Sequence, residues 1–205
     1  ARVANDEIRT TYEGAGLFQH PAREGVAMGE WVIEPATVEA LPDILQIEEA
    51  CFSAPWTRKM LEAELSGNPF AHFLLAKWVT PGEAGSVSIV GYLCFWVVFE
   101  EVRLMNLAVI ESMRHKGIAR ALVRQALEVG LAQTARRAVL EVRASNHAAH
   151  ALYRSLGFRD ATTRLKYYTN PIEDAFMMEL DPIVSEAGQL THEIGREGGR
   201  NRLLQ

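Results

Sequence analysis

Glu141-Val142-Arg143-Ala144-Ser145-Asn146 is the stretch of this chain that decides its fold, and Ala151-Leu152-Tyr153-Arg154-Ser155-Leu156-Gly157-Phe158 follows it closely. Apolar Leu140 and Val142 alternate with Glu141 and Arg143, which predicts a strand with two different faces. An ionised glutamate within such a strand is costly unless it has a partner or a chemical role. Glu141 is therefore a candidate general base, and pairing with a neighbouring arginine is the alternative.

The second half of this stretch predicts a helix that carries a tyrosine. Ser145 or Asn146 can cap its start, and Gly157 can adopt the left-handed conformation that ends it. Tyr153 then lies in the middle of the helix with a weakly acidic hydroxyl. The alternative is a core tyrosine whose ring is buried and whose hydroxyl is hydrogen-bonded.

A basic turn lies upstream, between an apolar strand, Leu104–Val109, and a helix that starts at Ile118. The turn, Arg114 to Gly117, contains cationic side chains and one glycine. Backbone N–H groups at a helix start lack intrahelical partners, and the helix dipole adds positive potential, so the turn is a candidate anion site. An exposed basic helix start is the alternative. The chain lacks both a Walker loop and the full Gly-x-Gly-x-x-Gly dinucleotide fingerprint.

These two motifs, in this order and at this spacing, resemble the GNAT superfamily of acetyl-CoA-dependent N-acetyltransferases. The chain is most similar to the bacterial ribosomal-protein-alanine N-acetyltransferase family (RimI), and the resemblance covers roughly 31–180. Its motifs are Asn106-Leu107-Ala108-Val109, Arg-x-x-Gly-x-Ala at 114–119, the Glu141 and Tyr153 strings, Tyr167-Tyr168 with Glu173-Asp174-Ala175, and Phe52 with Pro55-Trp56-Thr57. Ala119 and Glu111 depart from the family, which usually has glycine and proline there.

The resemblance implies a site for acetyl-CoA between two splayed parallel strands, 104–109 and 138–143. Glu141 would take a proton from the acceptor amine, and Tyr153 would give one to the departing thiolate. The backbone of 107–109 would hold the pantetheine arm, Asn146 would contact it, and the basic turn would hold the pyrophosphate. The implied cofactor-binding residues are Leu107, Ala108, Val109, Arg114, His115, Lys116, Gly117, Ile118, Ala119, Arg120 and Asn146.

The resemblance also implies the acceptor, which is the N-terminal α-amine of a protein, an alanine of a small-subunit ribosomal protein. An α-amine has an unperturbed pKa near 8 and a lysine amine near 10.4, so about a tenth of the first is free base at pH 7. Acetylation of a lysine or small amine by the same residues is one alternative. A non-catalytic acetyl-CoA-binding module is another, although such a module would not need both Glu141 and Tyr153.

Composition limits the classes of protein and partner. At 205 residues the chain allows one domain with a substantial core. Apolar residues make up 48% and the net charge is −5, which argues against overall disorder and against a nucleic-acid partner. The apolar run 92–99 is too short to cross a membrane and the N-terminus has no signal-peptide core, so we expect a cytoplasmic protein with no membrane partner.

The cysteines and histidines do not form a metal-ligand pattern. Cys51 and Cys94 stand alone, and we expect both to be buried, reduced thiols. His147 and His150 could share a helix face, but no third ligand is near them, so we expect solvent-facing residues and no metal.

The order of elements suits a mixed, mostly antiparallel sheet with helices on both faces, which is the α/β architecture that the resemblance to the GNAT superfamily implies. Thr37 and Thr57 are candidate caps of two early helices, the first delayed or bent by Pro42, and the last strand is predicted at 175–180. Residues 1–29 lack periodicity and read as an N-terminal extension, 30–181 as the acetyltransferase domain, and 182–205 as a flexible C-terminal tail.

Overall fold

The computed structural model describes residues 30–80 and 87–185. The predicted N-terminal extension, most of the predicted turn at 80–85 and all but the first residues of the predicted tail lie outside these residues. The strands are β1 (Glu30–Pro35), β2 (Ala71–Val79), β3 (Val87–Val98), β4 (Glu101–Val109), β5 (Arg137–Arg143), β6 (Arg159–Thr169) and β7 (Ile172–Leu180). The helices are α1 (Leu41–Cys51), α2 (Arg58–Gly67), α3 (Ile118–Ala132) and α4 (His147–Ser155), with short 3-10 helices at Val38–Ala40 and Glu111–Met113.

The seven described strands form one sheet in the order β1-β2-β3-β4-β5-β7-β6. Among them, β4 and β5 are the one parallel pair, and every other neighbouring pair is antiparallel. This arrangement confirms the predicted fold class. The connection between the parallel strands is α3, as a parallel pair needs a crossover of about a dozen residues or more.

Helices cover both faces of the sheet because successive strand residues point to opposite sides. In β2, Leu74 belongs to the cluster that packs against α3, whereas Leu75 belongs to the cluster under α1. Helix α3 buries Ile118, Leu122 and other residues at helical spacing against the first face. These two cores hold β4 and β5 in the centre of the sheet.

Three predicted helix ends are confirmed. The Thr57 side chain accepts a hydrogen bond from the Met60 N–H at 3.3 Å at the start of α2. Asn146 caps α4 by accepting from the Ala149 N–H at 3.1 Å, and Gly157 has φ 95° after its end. These contacts span a few residues of chain, so local sequence is sufficient to specify them.

Two local predictions are wrong. Thr37 precedes the first 3-10 helix, but its side chain makes no capping hydrogen bond there. Helix α1 begins only at Leu41, as expected if Pro42 delays it, and Pro42 lies in its first turn, where a proline costs no intrahelical hydrogen bond. Strand β7 begins at Ile172 rather than at Ala175, because the hairpin pairs Thr169 with Ile172 directly across the turn.

The described residues continue past the predicted domain end at 181. Ile183 is buried, and its N–H donates to the Arg136 carbonyl at 2.6 Å, so the first residues of the predicted tail pack against the start of β5. Neither described segment contains a helix long and apolar enough to cross a membrane.

Candidate active site

The sheet opens between its two parallel strands. Pairing between β4 and β5 ends at Leu104 and Leu140, whereas β4 stays paired with β3 to Val109 and β5 with β7 to Arg143. The edge of β4 that faces β5 is therefore unpaired beyond Leu104, and its backbone amides are available to a ligand. An open cavity of about 630 Å³, a size typical of small-molecule sites, lies at this separation.

The cavity brings together residues that lie far apart in the sequence. Both catalytic candidates, Glu141 and Tyr153, line it, as do Leu107 and Asn146 from the cofactor-binding set. The lining also includes the last residue of α1, Cys51, residues of the loop after it, and two residues of the β6–β7 hairpin: Phe52, Ser53, Ala54, Trp56, Tyr167 and Tyr168.

Glu141 lines the cavity, and it also has an arginine partner, the pairing that the sequence left as the alternative. Its side chain is 19% exposed and lines the cavity, and Arg164 Nη1 donates to its Oε1 at 2.7 Å. Arg164 comes from β6 and is half exposed, so solvent weakens the ion pair. A base held by such a pair can exchange its guanidinium partner for an incoming ammonium group.

Tyr153 has a buried ring and a hydroxyl without a hydrogen-bond partner in the described part of the chain. It is 7% exposed, and its ring packs edge-on against Phe158 with centroids 5.7 Å apart. No residue of the described chain hydrogen-bonds to its hydroxyl, unlike the core tyrosine that was the alternative. Burial, and secondarily Tyr168, raises the pKa of Tyr153 above its usual value, so the hydroxyl stays protonated at neutral pH and can act as a donor.

The basic turn leads from the end of β4 into α3. His115 and Gly117 have left-handed φ values of 62° and 82°, both residues are exposed, and the first helical hydrogen bond recorded runs from the Ala121 N–H to the Gly117 carbonyl. The amides of Ile118, Ala119 and Arg120 occupy the first turn of α3, where N–H groups have no acceptor within the helix. Left-handed residues next to such amides form the kind of concave backbone that binds anions.

The three cations of this turn have contacts within the protein. Arg114 Nε donates to the Val109 carbonyl at 3.1 Å, and Arg120 Nη2 donates to Ser155 Oγ at 2.8 Å. Lys116 Nζ lies 5.1 Å from the ring centroid of Trp78. These contacts stabilise the turn and occupy the three side chains. The backbone amides are therefore better placed than the side chains to bind an anion. Ala108 and Val109, also in the predicted set, are buried in β4 just before it.

Charged neighbours hold the tyrosine pair that lines the cavity, Tyr167 and Tyr168. Arg143 lies 4.0 Å from the ring centroid of Tyr168 and forms an ion pair with Glu173 at 3.4 Å. Burial raises the pKa of Tyr168 to about 12, and a hydrogen bond from Ser145 lowers the pKa of Glu173. Tyr167 and Tyr168 pack edge-on, with centroids 5.2 Å apart.

The sequence analysis did not identify Glu48 as part of this region. Its carboxylate is fully buried and accepts hydrogen bonds from the Trp56 N–H at 2.6 Å, from Asn106 Nδ2 at 2.6 Å and from the Tyr92 hydroxyl. Burial raises the pKa of Glu48, although the three hydrogen bonds oppose the shift. Helical spacing could have identified Glu48 as buried, because it shares the apolar helical face of Leu41 and Ile44.

Two further expectations need correction. Cys94 is buried as expected, but Cys51 is half-buried and lines the cavity, because it follows the last buried turn of α1. His147 is exposed, whereas His150 is buried edge-on against Phe176, since α4 turns this side chain toward β7. Within 30–80 and 87–185 no group of three or more His, Cys, Asp or Glu side chains could hold a metal ion.

Comparison with known proteins places this geometry in a family. The sequence model of the acetyltransferase (GNAT) family matches residues 41–158. The chain is 36% identical over 142 residues to the [ribosomal protein bS18]-alanine N-acetyltransferase of Escherichia coli (strain K12), covering 68% of this chain and 90% of that protein.

Solved structures agree with the sequence comparisons. The crystal structure of the ribosomal-protein-S18-alanine N-acetyltransferase from Escherichia coli superposes with a TM-score of 0.65 and 30% identity, covering 76% of this chain and 96% of that one. Arabidopsis thaliana NAA60, solved in complex with acetyl-CoA, has the same fold, with a TM-score of 0.67 and 18% identity over 74% of this chain and 98% of that one. The protein described here belongs to the GNAT family and is an N-acetyltransferase.

Proposed function

We propose that this enzyme transfers an acetyl group from acetyl-CoA to the N-terminal α-amine of a protein, an alanine of a small-subunit ribosomal protein. The observation that carries the proposal is that Glu141 and Tyr153 line one cavity, at the point where β4 and β5 separate. The names of the Escherichia coli relatives support the choice of acceptor.

The residues present fit acetyl-CoA, which supplies an activated acetyl thioester when bound. The unpaired edge of β4 at Leu107, Ala108 and Val109 offers backbone groups to an amide-bearing chain. The turn at 115–120 presents first-turn amides next to two left-handed residues, which suits a pyrophosphate. We assign the side chain of Asn146, at the cavity wall, to contacts with the same arm.

Glu141 removes a proton from the acceptor ammonium, directly or through water, because only the free amine attacks a thioester. The incoming ammonium replaces the Arg164 guanidinium at the carboxylate. As the new C–N bond forms and the C–S bond breaks, Tyr153 gives its proton to the departing sulfur, and the second proton lost by the nitrogen restores the Tyr153 hydroxyl through solvent. Neither Cys51 nor Cys94 is needed as a nucleophile, because both substrates can be held together for direct transfer.

Intact-mass analysis with two peptides tests the acceptor. One peptide begins with alanine, and the other has a blocked N-terminus and an internal lysine. Faster acetylation of the first is expected, whereas preferential modification of lysine would overturn the α-amine assignment. Unmodified peptides together with measurable acetyl-CoA binding would also overturn it, and would favour a small-amine acceptor or a binding module.

Two glutamine variants test the base. Glu141→Gln should lower the rate with the alanine peptide by about a hundredfold or more, and rising pH should partly restore it, because solvent then supplies free amine. Glu101→Gln is the matched control, since Glu101 also pairs with arginines but lies at the paired end of β4. Equal rates for the two variants would contradict the role of Glu141.

A further inference from the structure

Glu48 is a buried carboxylate that the proposed mechanism does not use. Its three hydrogen-bond donors, Trp56 N–H, Asn106 Nδ2 and the Tyr92 hydroxyl, are neutral, and no described residue forms an ion pair with it. Burying an unpaired carboxylate is costly, so a chain that retains one there has a use for its acceptor capacity. Asn106 Nδ2 also donates to the Tyr92 hydroxyl oxygen at 2.9 Å, which closes the network.

Glu48 acts only as an acceptor in this network. An ionised carboxylate offers acceptors alone, whereas a glutamine of the same shape would turn an NH₂ group toward one of the donors. The backbone amide of Trp56 cannot reverse its role, and Asn106 could accept from that NH₂ group only by turning its own amide over. A neutral isostere therefore either loses one of these contacts or forces the Asn106 amide to turn.

The network joins two segments that line the cavity. Trp56 belongs to the loop 52–56, and Asn106 belongs to β4, two residues beyond the last pair with β5. Glu48 Oε2 accepts from the loop and Oε1 accepts from the strand, so one side chain connects the two. A weaker contact, Cys51 Sγ to the Val109 carbonyl at 3.7 Å, runs parallel to it.

We propose that Glu48 is a positioning residue that holds the loop 52–56 against the separated part of β4, and thereby sets the affinity of the cavity for the acceptor. The inference rests on the proposed function for the identity of that acceptor. Loop 52–56 and Glu141 line the same cavity, so displacement of the loop changes the shape of the space beside the proposed base. Displacement of the loop does not change the turn at 115–120, where we place the cofactor's pyrophosphate.

Glu48→Gln tests this role against a matched control. Glu64→Gln makes the same change in a carboxylate that also accepts from an amide, Asn68, and from an N–H, that of the Trp96 indole, but it lies outside the cavity. Hydrogen exchange read by mass spectrometry should show faster exchange in the segment 52–57 of Glu48→Gln only. The KM for the acceptor should rise about tenfold or more, with kcat and the Kd for acetyl-CoA little changed.

Two results would overturn the proposal. One is unchanged exchange at 52–57 in folded Glu48→Gln, and the other is a loss of acetyl-CoA affinity equal to the loss for the acceptor. The KM is measured with whichever of the two peptides the wild-type enzyme acetylates. Failure of the α-amine assignment is then seen in the wild type and is separate from failure at Glu48.

A second pair of variants applies if Glu48→Gln does not fold. Trp56→Pro removes the amide hydrogen that Glu48 accepts, and Trp56→Ala retains it, while both remove the indole. The proline variant should have the higher KM for the acceptor, and equal KM values would refute the role of this hydrogen bond.

Discussion

Gly117 is the position where one substitution best separates charge from backbone geometry in the proposed cofactor site. Its φ of 82° is a left-handed conformation, and a Cβ built there would meet nothing within 4 Å. Glutamine and glutamate therefore fit without a clash, and both experience the same backbone strain. They differ in one negative charge at an exposed turn, beside the amides that we assign to the pyrophosphate.

The expected effects follow from two separate terms. Left-handed geometry costs a side-chain-bearing residue about 1–2 kcal/mol, which is about 5- to 30-fold in an equilibrium constant. This cost lowers the stability of the folded protein if the turn keeps its shape. It lowers the affinity for acetyl-CoA if the turn relaxes. Repulsion between two unit charges at about 4 Å is about 1 kcal/mol in water and about 4 kcal/mol near a protein surface, so Gly117→Glu should bind acetyl-CoA about 5- to 1000-fold more weakly than Gly117→Gln.

Isothermal titration calorimetry with acetyl-CoA measures the difference directly. Raising the ionic strength should reduce the ratio of the two Kd values, because salt screens charges at an exposed turn. Thermal unfolding without cofactor should give similar midpoints for the two variants, since their strain is shared. Equal affinities for acetyl-CoA at low salt would refute the assignment of this turn to the pyrophosphate.

Three other predictions concern the proton donor, the chain end and pH. Tyr153→Phe should keep its packing and cofactor affinity but lose about 10- to 10,000-fold in kcat, and an unchanged kcat where chemistry is rate-limiting would make it a core residue only. A chain starting at residue 29 and ending at Asp181 should retain acetyl transfer. Its free energy of unfolding in urea should be about 2 kcal/mol lower than that of a chain ending at Ser185, because it lacks the buried Ile183. Equal unfolding midpoints for the two chains would contradict this prediction. Burial lowers the pKa of His72 to about 4, so the unfolded imidazole binds a proton near pH 6.5 while the folded one stays neutral. Unfolding free energy should therefore fall by about 2 kcal/mol from pH 7 to pH 5, and His72→Phe should lack this part of the decrease.

Local sequence was sufficient for most elements of this fold. The alternation around Glu141 specified a strand, and the residues at Asn146, Gly157 and Thr57 specified helix ends through contacts three or fewer residues away. Such contacts depend on neighbours along the chain, which a single sequence displays directly. The motif strings were also sufficient to identify the family, and they placed Glu141 and Tyr153 as a candidate pair.

Tertiary structure decided which side chains meet at the cavity. Glu48 contacts Asn106 across 58 residues, and Glu141 contacts Arg164 across 23, so neither partner could be read from local spacing. The burial of His150 also depends on tertiary structure. The packing of α4 on β7 determines which side of this short helix faces the core. A periodic pattern predicts that a face is buried, but the identity of the groups opposite depends on sheet order and register, which form only when distant segments pack together.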